Sequence, residues 1–217
     1  FIVSILADAD PYLEPARVLP ARQVLDRARE RLDTLPAARA DMRVELLNLI
    51  GWTLLRLQRS EDGATVVAQA LRESRAKLPS DHAQALRARV IQLVVLRYRG
   101  QPQRMRAEID RLLPLLRRRA GADPFDLIIT LRNDANLAAT SELRPDHAMR
   151  AAAEALSLSR ARFGDAHPET VMSHAVLVGA ALVAVAPEEA LEISSEGIEL
   201  AERVYGGRGP NAMLLQM

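Results

Sequence analysis

Four histidines, His82, His147, His167 and His174, are the side chains of this sequence best suited to binding a metal, and their spacing argues against it. Helix-borne ligands recur at i and i+4 or stand in an HExxH pair, whereas these four are dispersed, and only His167 and His174 could share a helix face. Asp8 and Asp10 are spaced like a carboxylate pair. Asp10-Pro11 ends a helix, however, so capping or turn formation accounts for them better than catalysis. Gly206-Gly207-Arg208-Gly209-Pro210 is glycine-rich, but it follows a helical pattern and lacks the P-loop lysine, so it reads as a turn. No nucleophile, base and orienting group fall at a usable spacing. The expectation is a chain with no catalytic residue, no metal and no cofactor.

A cluster of arginines offers binding chemistry instead. Arg97, Arg99, Arg104 and Arg106 surround one turn, and Arg111, Arg117, Arg118 and Arg119 continue along the following helix against only Glu108 and Asp110. An acidic-partner or anionic-lipid patch is one reading. The other is a solvated outer face, with Arg117 to Arg119 favourably placed at a helix C-terminus. Tyr98 is the only aromatic interleaved, and the chain's net charge is +1, so no nucleic-acid partner is expected. The absence of cysteine excludes a disulfide framework but leaves both cytosol and periplasm open. No run approaches the roughly 18 apolar residues of a membrane span, so no membrane insertion is expected within this chain.

The elements that hold these residues are set by an internal repeat of about 42 residues. Gly51, Leu93, Asn136 and Val178 fall in register, as do Gly63, Met105, Ala148 and Ala190, and Ala70, Leu112, Ala155 and Gly197. The same register aligns four junctions, Leu78-Pro79, Ala120-Gly121, Phe163-Gly164 and Tyr205-Gly206, where a breaker stops a helix. From Val44 to Leu57 the apolar band is too wide for one exposed face, which predicts a first helix packed on two sides. The second helix, from about Asp62 to Lys77, carries a narrower stripe of Val66, Val67, Ala70 and Leu71. Each unit is therefore expected to be a helical hairpin with an inner and an outer helix, stacked on its neighbours.

The small residues Gly51, Gly63 and Ala70 make this register resemble the tetratricopeptide repeat, which has small residues near positions 8, 20 and 27 of each unit. Phe163-Gly164-Asp165-Ala166-His167-Pro168-Glu169-Thr170 is similar to the turn of the long, kinesin-light-chain type of repeat, and Leu78-Pro79-Ser80-Asp81-His82 echoes it. The resemblance implies that His82 and His167 are structural turn residues. It also implies a right-handed superhelix of about four stacked hairpins, all-α, with boundaries at 1–40 for an N-terminal helical segment, 41–79, 80–121, 122–164 and 165–205 for the repeats, and 206–217 for the start of a truncated further repeat.

Phe1 to Pro11, Leu19 to Ala28 and Arg43 to Gly51 together resemble the region before the first repeat in bacterial serine/threonine protein kinases with C-terminal tetratricopeptide arrays. That resemblance implies a kinase domain upstream, often with a membrane helix between. Phe1 without an initiator methionine and the helix-like close Gly209 to Met217 likewise suggest a fragment of a longer protein. On this reading the chain is a non-catalytic interaction or sensor module, cytoplasmic or, with a membrane helix upstream, extracytoplasmic. The rival reading is a free-standing scaffold or regulator without a kinase.

Projecting the inner positions of such an array onto this register gives a concave binding face of Glu45, Asn48, Trp52 and Arg56, then Arg87 and Tyr98, then Asn133 and Asp134, with Thr130 and Ser141 beside them. A protein or peptide is the expected partner, its backbone bonded by the amides of Asn48 and Asn133. Trp52 could anchor it or could equally be buried between hairpins. The late inner positions Met172, Ala175, Gly179 and Val183 are apolar and could equally seat a neighbouring copy in a homo-oligomer.

Overall fold

A computed structural model describes residues 39–205 apart from 120, 122 and 186. The N-terminal segment with Asp8 and Asp10, the glycine-rich turn after Tyr205 and the apolar close of the chain lie outside the described residues. Those described are all-α, with eight helices and no strand: α1 Ala40–Arg56, α2 Ser60–Lys77, α3 Ala83–Tyr98, α4 Pro102–Arg119, α5 Phe125–Thr140, α6 Pro145–Phe163, α7 Pro168–Ala184 and α8 Pro187–Tyr205.

Local chemistry sets these boundaries. Proline is the first residue of α4, α6, α7 and α8, where its fixed φ suits the helix and its missing N–H removes a donor that would have no partner. α2 stops one residue before Leu78-Pro79, and α6 stops at Gly164, whose φ of 79° is cheap only for glycine. Cations gather in last turns, Arg75 and Lys77 on α2 and Arg117, Arg118 and Arg119 on α4, opposite the partial negative charge of the helix end.

The chain divides into two compact units, and the division falls within α3 after Val95. In the first, α1 packs on α2, and both join Ala88, Ile91 and Val95 of α3 in one apolar core. Two glycines let α1 and α2 approach. A Cβ at Gly63 would stand 2.8 Å from Leu55 Cγ and 3.2 Å from the Leu55 nitrogen, and one at Gly51 would stand 2.9 Å from Val67 Cγ2.

In the second unit α4 packs on α5, α5 on α6 and α7, α6 on α7, and α7 on α8. Burial follows the inner and outer roles read from the apolar periods. Twelve of the sixteen residues of α5 are buried, against four of nineteen on α8. The buried Ala148 and Ala155 of α6 stand at the repeat positions of Gly63 and Ala70. The turn before α7 is held from several directions: Thr170 Oγ1 donates to the Gly164 carbonyl at 2.7 Å, and the Phe163 ring stacks on His167 at 4.6 Å while meeting Phe125 edge-on at 6.0 Å.

Candidate functional site

The first unit carries a groove between α1 and α3. Residues Glu45, Leu49, Trp52 and Arg56 recur every three or four positions along α1, so they share one helix face, and Gln84, Arg87 and Ile91 do the same on α3. Glu45, Asn48, Leu49, Trp52, Gln84, Arg87 and Ile91 line a concavity of about 240 Å³. Four of the residues projected from the repeat register, Glu45, Asn48, Trp52 and Arg87, therefore meet at one place. Trp52 is both core and surface: one side packs on the apolar core of the unit, and the other faces the groove with the Arg56 guanidinium 5.8 Å from its ring centroid, within cation–π range.

Asn48 is the chemical centre of this groove. Only 3% exposed, it donates from Nδ2 to the Gln84 carbonyl at 2.9 Å and to Gln84 Oε1 at 3.1 Å. Its Oδ1 is buried with no hydrogen-bond partner, a state that costs about 1–3 kcal/mol in desolvation unless a donor arrives. Directly beside it Leu49 is 56% exposed. A hydrogen-bonding floor flanked by an exposed leucine and a half-buried tryptophan can hold a polypeptide backbone and an apolar side chain at once. Leu49, Gln84 and Ile91 were not foreseen. The one available signal was helical spacing: Gln84 precedes Arg87 by three residues, and Leu49 follows Glu45 by four.

The residues projected onto the second unit behave otherwise. Tyr98 is 55% exposed at the end of α3, but Asn133 and Asp134 lie in the interior at 3% and 1% exposure, and Thr130 is fully buried. This corrects the expectation that they line an open face. α4, α6 and α7 surround α5, so its inner positions are covered. Asn133 Nδ2 turns back to the Ile129 carbonyl of its own helix at 2.8 Å, and its Oδ1, like that of Asn48, is buried without a partner. Asp134 accepts from Arg106 Nη2 at 2.7 Å and lies 3.0 Å from His147 Nε2.

Arg106 also grips Glu142, Nε to Oε1 at 2.7 Å and Nη2 to Oε2 at 2.9 Å. The hydrogen bond from Arg106 lowers the Glu142 pKa below the ordinary carboxylate value, against the effect of partial burial. The Arg106 pKa is raised, because its bonds to Glu142 and Asp134 outweigh burial. This cluster joins α4, α5, the following turn and α6, and its members are already partnered. It is a tie between helices.

The histidines also have structural partners. His82 Nδ1 accepts from the Gln84 N–H at 3.2 Å and His167 Nδ1 from the Glu169 N–H at 3.1 Å, each capping the start of the following helix. His174, fully buried, has Nε2 2.8 Å from the Ile193 carbonyl. Among the described residues no three of His, Cys, Asp and Glu converge as a metal set. Nor is any described helix long and apolar enough to cross a membrane. No family model matches the sequence, and no curated protein matches it.

Proposed function

We propose that this chain is a non-catalytic protein-interaction or sensor module that holds a peptide segment in the groove between α1 and α3. The buried Asn48 amide carries this reading. It has one bonded end and one acceptor without a donor, in a concavity lined by the exposed Leu49 and the half-buried Trp52. A partner backbone N–H would supply the donor that Oδ1 lacks, and an apolar partner residue fits against Leu49 and Trp52. The reading includes a right-handed superhelix of about four tetratricopeptide-type hairpins. Its support is the 42-residue register, helices of 16 to 19 residues and the packing of α2 on α1, of α6 on α5 and of α8 on α7.

By the same reading the module is the repeat region of a bacterial serine/threonine protein kinase, on the strength of the segments Phe1 to Pro11, Leu19 to Ala28 and Arg43 to Gly51. The genomic sequence upstream of Phe1 tests this part: a kinase catalytic loop is expected there, and a start codon close to Phe1 in its place overturns it.

Binding is tested separately. Peptides selected from a displayed random library should shift the backbone amide resonances of Asn48, Trp52, Gln84 and Arg87. Their affinity should fall about tenfold or more in Asn48→Ala, the loss of one buried hydrogen bond, with little dependence on salt. Binding that falls steeply with salt and vanishes when Arg117, Arg118 and Arg119 are neutralised, with Asn48→Ala silent, moves the site to the arginine-rich helix.

A further inference from the structure

The second unit is electrically polarised in a regular way. On α4, Arg104, Ala107, Arg111, Pro114 and Arg118 are all exposed and recur at spacings of three and four, so they form one stripe of arginines separated by small apolar residues. The arginines are seven residues apart, about 10.5 Å along the axis at 1.5 Å per residue. On α8, Glu188, Leu191, Glu192, Ser195, Glu199 and Glu202 are likewise exposed and share an arc of roughly 100°. Glu192 and Glu199 repeat the seven-residue interval of the arginines, and Leu191 is 68% exposed among them.

Among the described residues these charges are left largely without ion pairs. Among the described residues, Glu188, Glu192, Glu199 and Glu202 make no ion pair. Arg118 makes none either, Arg104 is bonded to the neutral Gln101, and Arg111 reaches Glu108 only at 4.0 Å. By contrast, Arg117 on α4 and Glu196 on α8, which flank these stripes, are paired to Glu154 and Arg160 of α6. Residues that neighbour α6 are thus satisfied, while the outward stripes of both helices are left with one sign of charge each, the exposed Arg203 bordering Glu199 and Glu202 at the end of α8.

We infer that the α8 stripe docks on the α4 stripe of a second copy of this chain, giving a head-to-tail assembly. Two observations select this partner. The stripes match in charge, in interval and in length, α4 having 18 residues and α8 having 19. A twofold contact of either stripe with itself would set glutamate against glutamate or arginine against arginine, which is repulsive. The remaining contact sets α4 of one copy against α8 of another. Made reciprocally it closes a twofold dimer; made head-to-tail, as inferred, it grows into chains or closes into rings, so a mass that stops at the dimer overturns the head-to-tail form. Exposed Leu191 seats over Ala107 or Pro114, so apolar contact adds to charge. Individually, exposed ion pairs contribute little; a row of them in register sets orientation and partner choice.

The test is sedimentation equilibrium of the full 217-residue chain over about 5–500 µM at low salt, about 50 mM, and again near 500 mM, where screening is severalfold shorter in range. At low salt the average mass should rise past that of a dimer, and at high salt it should return to that of one chain. The triple variant R104E/R111E/R118E and the double variant E192R/E199R should each associate at least about tenfold more weakly alone, and an equimolar mixture of the two should recover assembly. Circular dichroism melting should be unchanged, because every altered side chain is exposed. A wild-type chain that stays monomeric at the highest concentration overturns the inference, as does assembly that strengthens with salt or survives both reversals. Association that appears only after deletion of residues 206–217 shows that this segment occupies the face, and also overturns it.

Discussion

Leu49 and Asp134 occupy the same position of the repeat, one residue after Asn48 and Asn133, and their environments are inverted. The leucine is 56% exposed and the aspartate 1%. α1 keeps this face open to a groove, whereas α5 is covered there, and its aspartate is affordable only because Arg106 and His147 reach it. One pattern of residues thus gives an accepting surface in the first unit and a closed, internally bonded interior in the second. The lesson is that repeat position fixes which helix face is inner but does not fix whether that face meets solvent.

The largest effect should come from the closed side. Asp134→Ala leaves Arg106 and His147 without their shared carboxylate in a largely buried cluster, so denaturant unfolding of the second unit should lose about 3 kcal/mol. Leu49→Ala, at the equivalent position, should change stability by less than about 1 kcal/mol, since its side chain is half in water already. Equal losses at the two positions would mean that the burial contrast is not present in solution.

A second contrast lies at the hairpin closures. Gly63 and Ala148 are equivalent, yet a Cβ at Gly63 would collide with Leu55, including its backbone nitrogen. Gly63→Ala should therefore cost about 1–3 kcal/mol by overpacking. Ala148→Gly should cost only about 0.5–1 kcal/mol through helix propensity. Reversed magnitudes would show that the α1 and α2 axes are not as close as the glycines imply.

Helix ends and close contacts were legible because they depend on neighbours in sequence: proline and glycine at the junctions, small residues at Gly51, Gly63, Ala70, Ala148 and Ala155. Glu45, Asn48 and Trp52 were projected from the inner positions of the resembled repeat, and helical spacing puts them along one side of α1. What could not be read was the covering of α5. It depends on Arg106, 28 residues before Asp134, and on Glu142, 36 residues after Arg106; no local pattern links such partners. Asn133 was therefore assigned to an open face by the same register that put Asn48 on the concave face.

The acid response should distinguish the units less strongly. The folded pKa of Glu142 is lowered, first by its hydrogen bond from Arg106, so the folded state favours the ionised carboxylate. Its stabilisation is full above the ordinary carboxylate pKa and is lost as pH falls through the lowered, folded-state value. Glu73 in the first unit follows the same sign, the bonds from Arg43 and Gln69 outweighing burial. Both units should thus weaken in acid, and Glu142→Gln should remove part of this dependence from the second unit alone, as read from denaturant midpoints between about pH 5 and pH 2.

The smallest expected change is in the stability of the two asparagine variants, and it separates structure from binding. Asn48→Ala removes two hydrogen bonds to Gln84 but also removes a buried acceptor without a partner, and Asn133→Ala makes the same exchange with a single bond to Ile129. Because an intramolecular bond contributes about 1 kcal/mol net while an orphaned acceptor costs about as much, each variant should stay within about 1 kcal/mol of the wild type. Their effects on a peptide selected against the groove should differ: roughly tenfold weaker binding for Asn48→Ala and no change for Asn133→Ala, whose side chain is sealed inside the second unit. If Asn133→Ala weakened the same peptide as much as Asn48→Ala did, then α5 would have to open on binding, and the two faces would work as one surface after all.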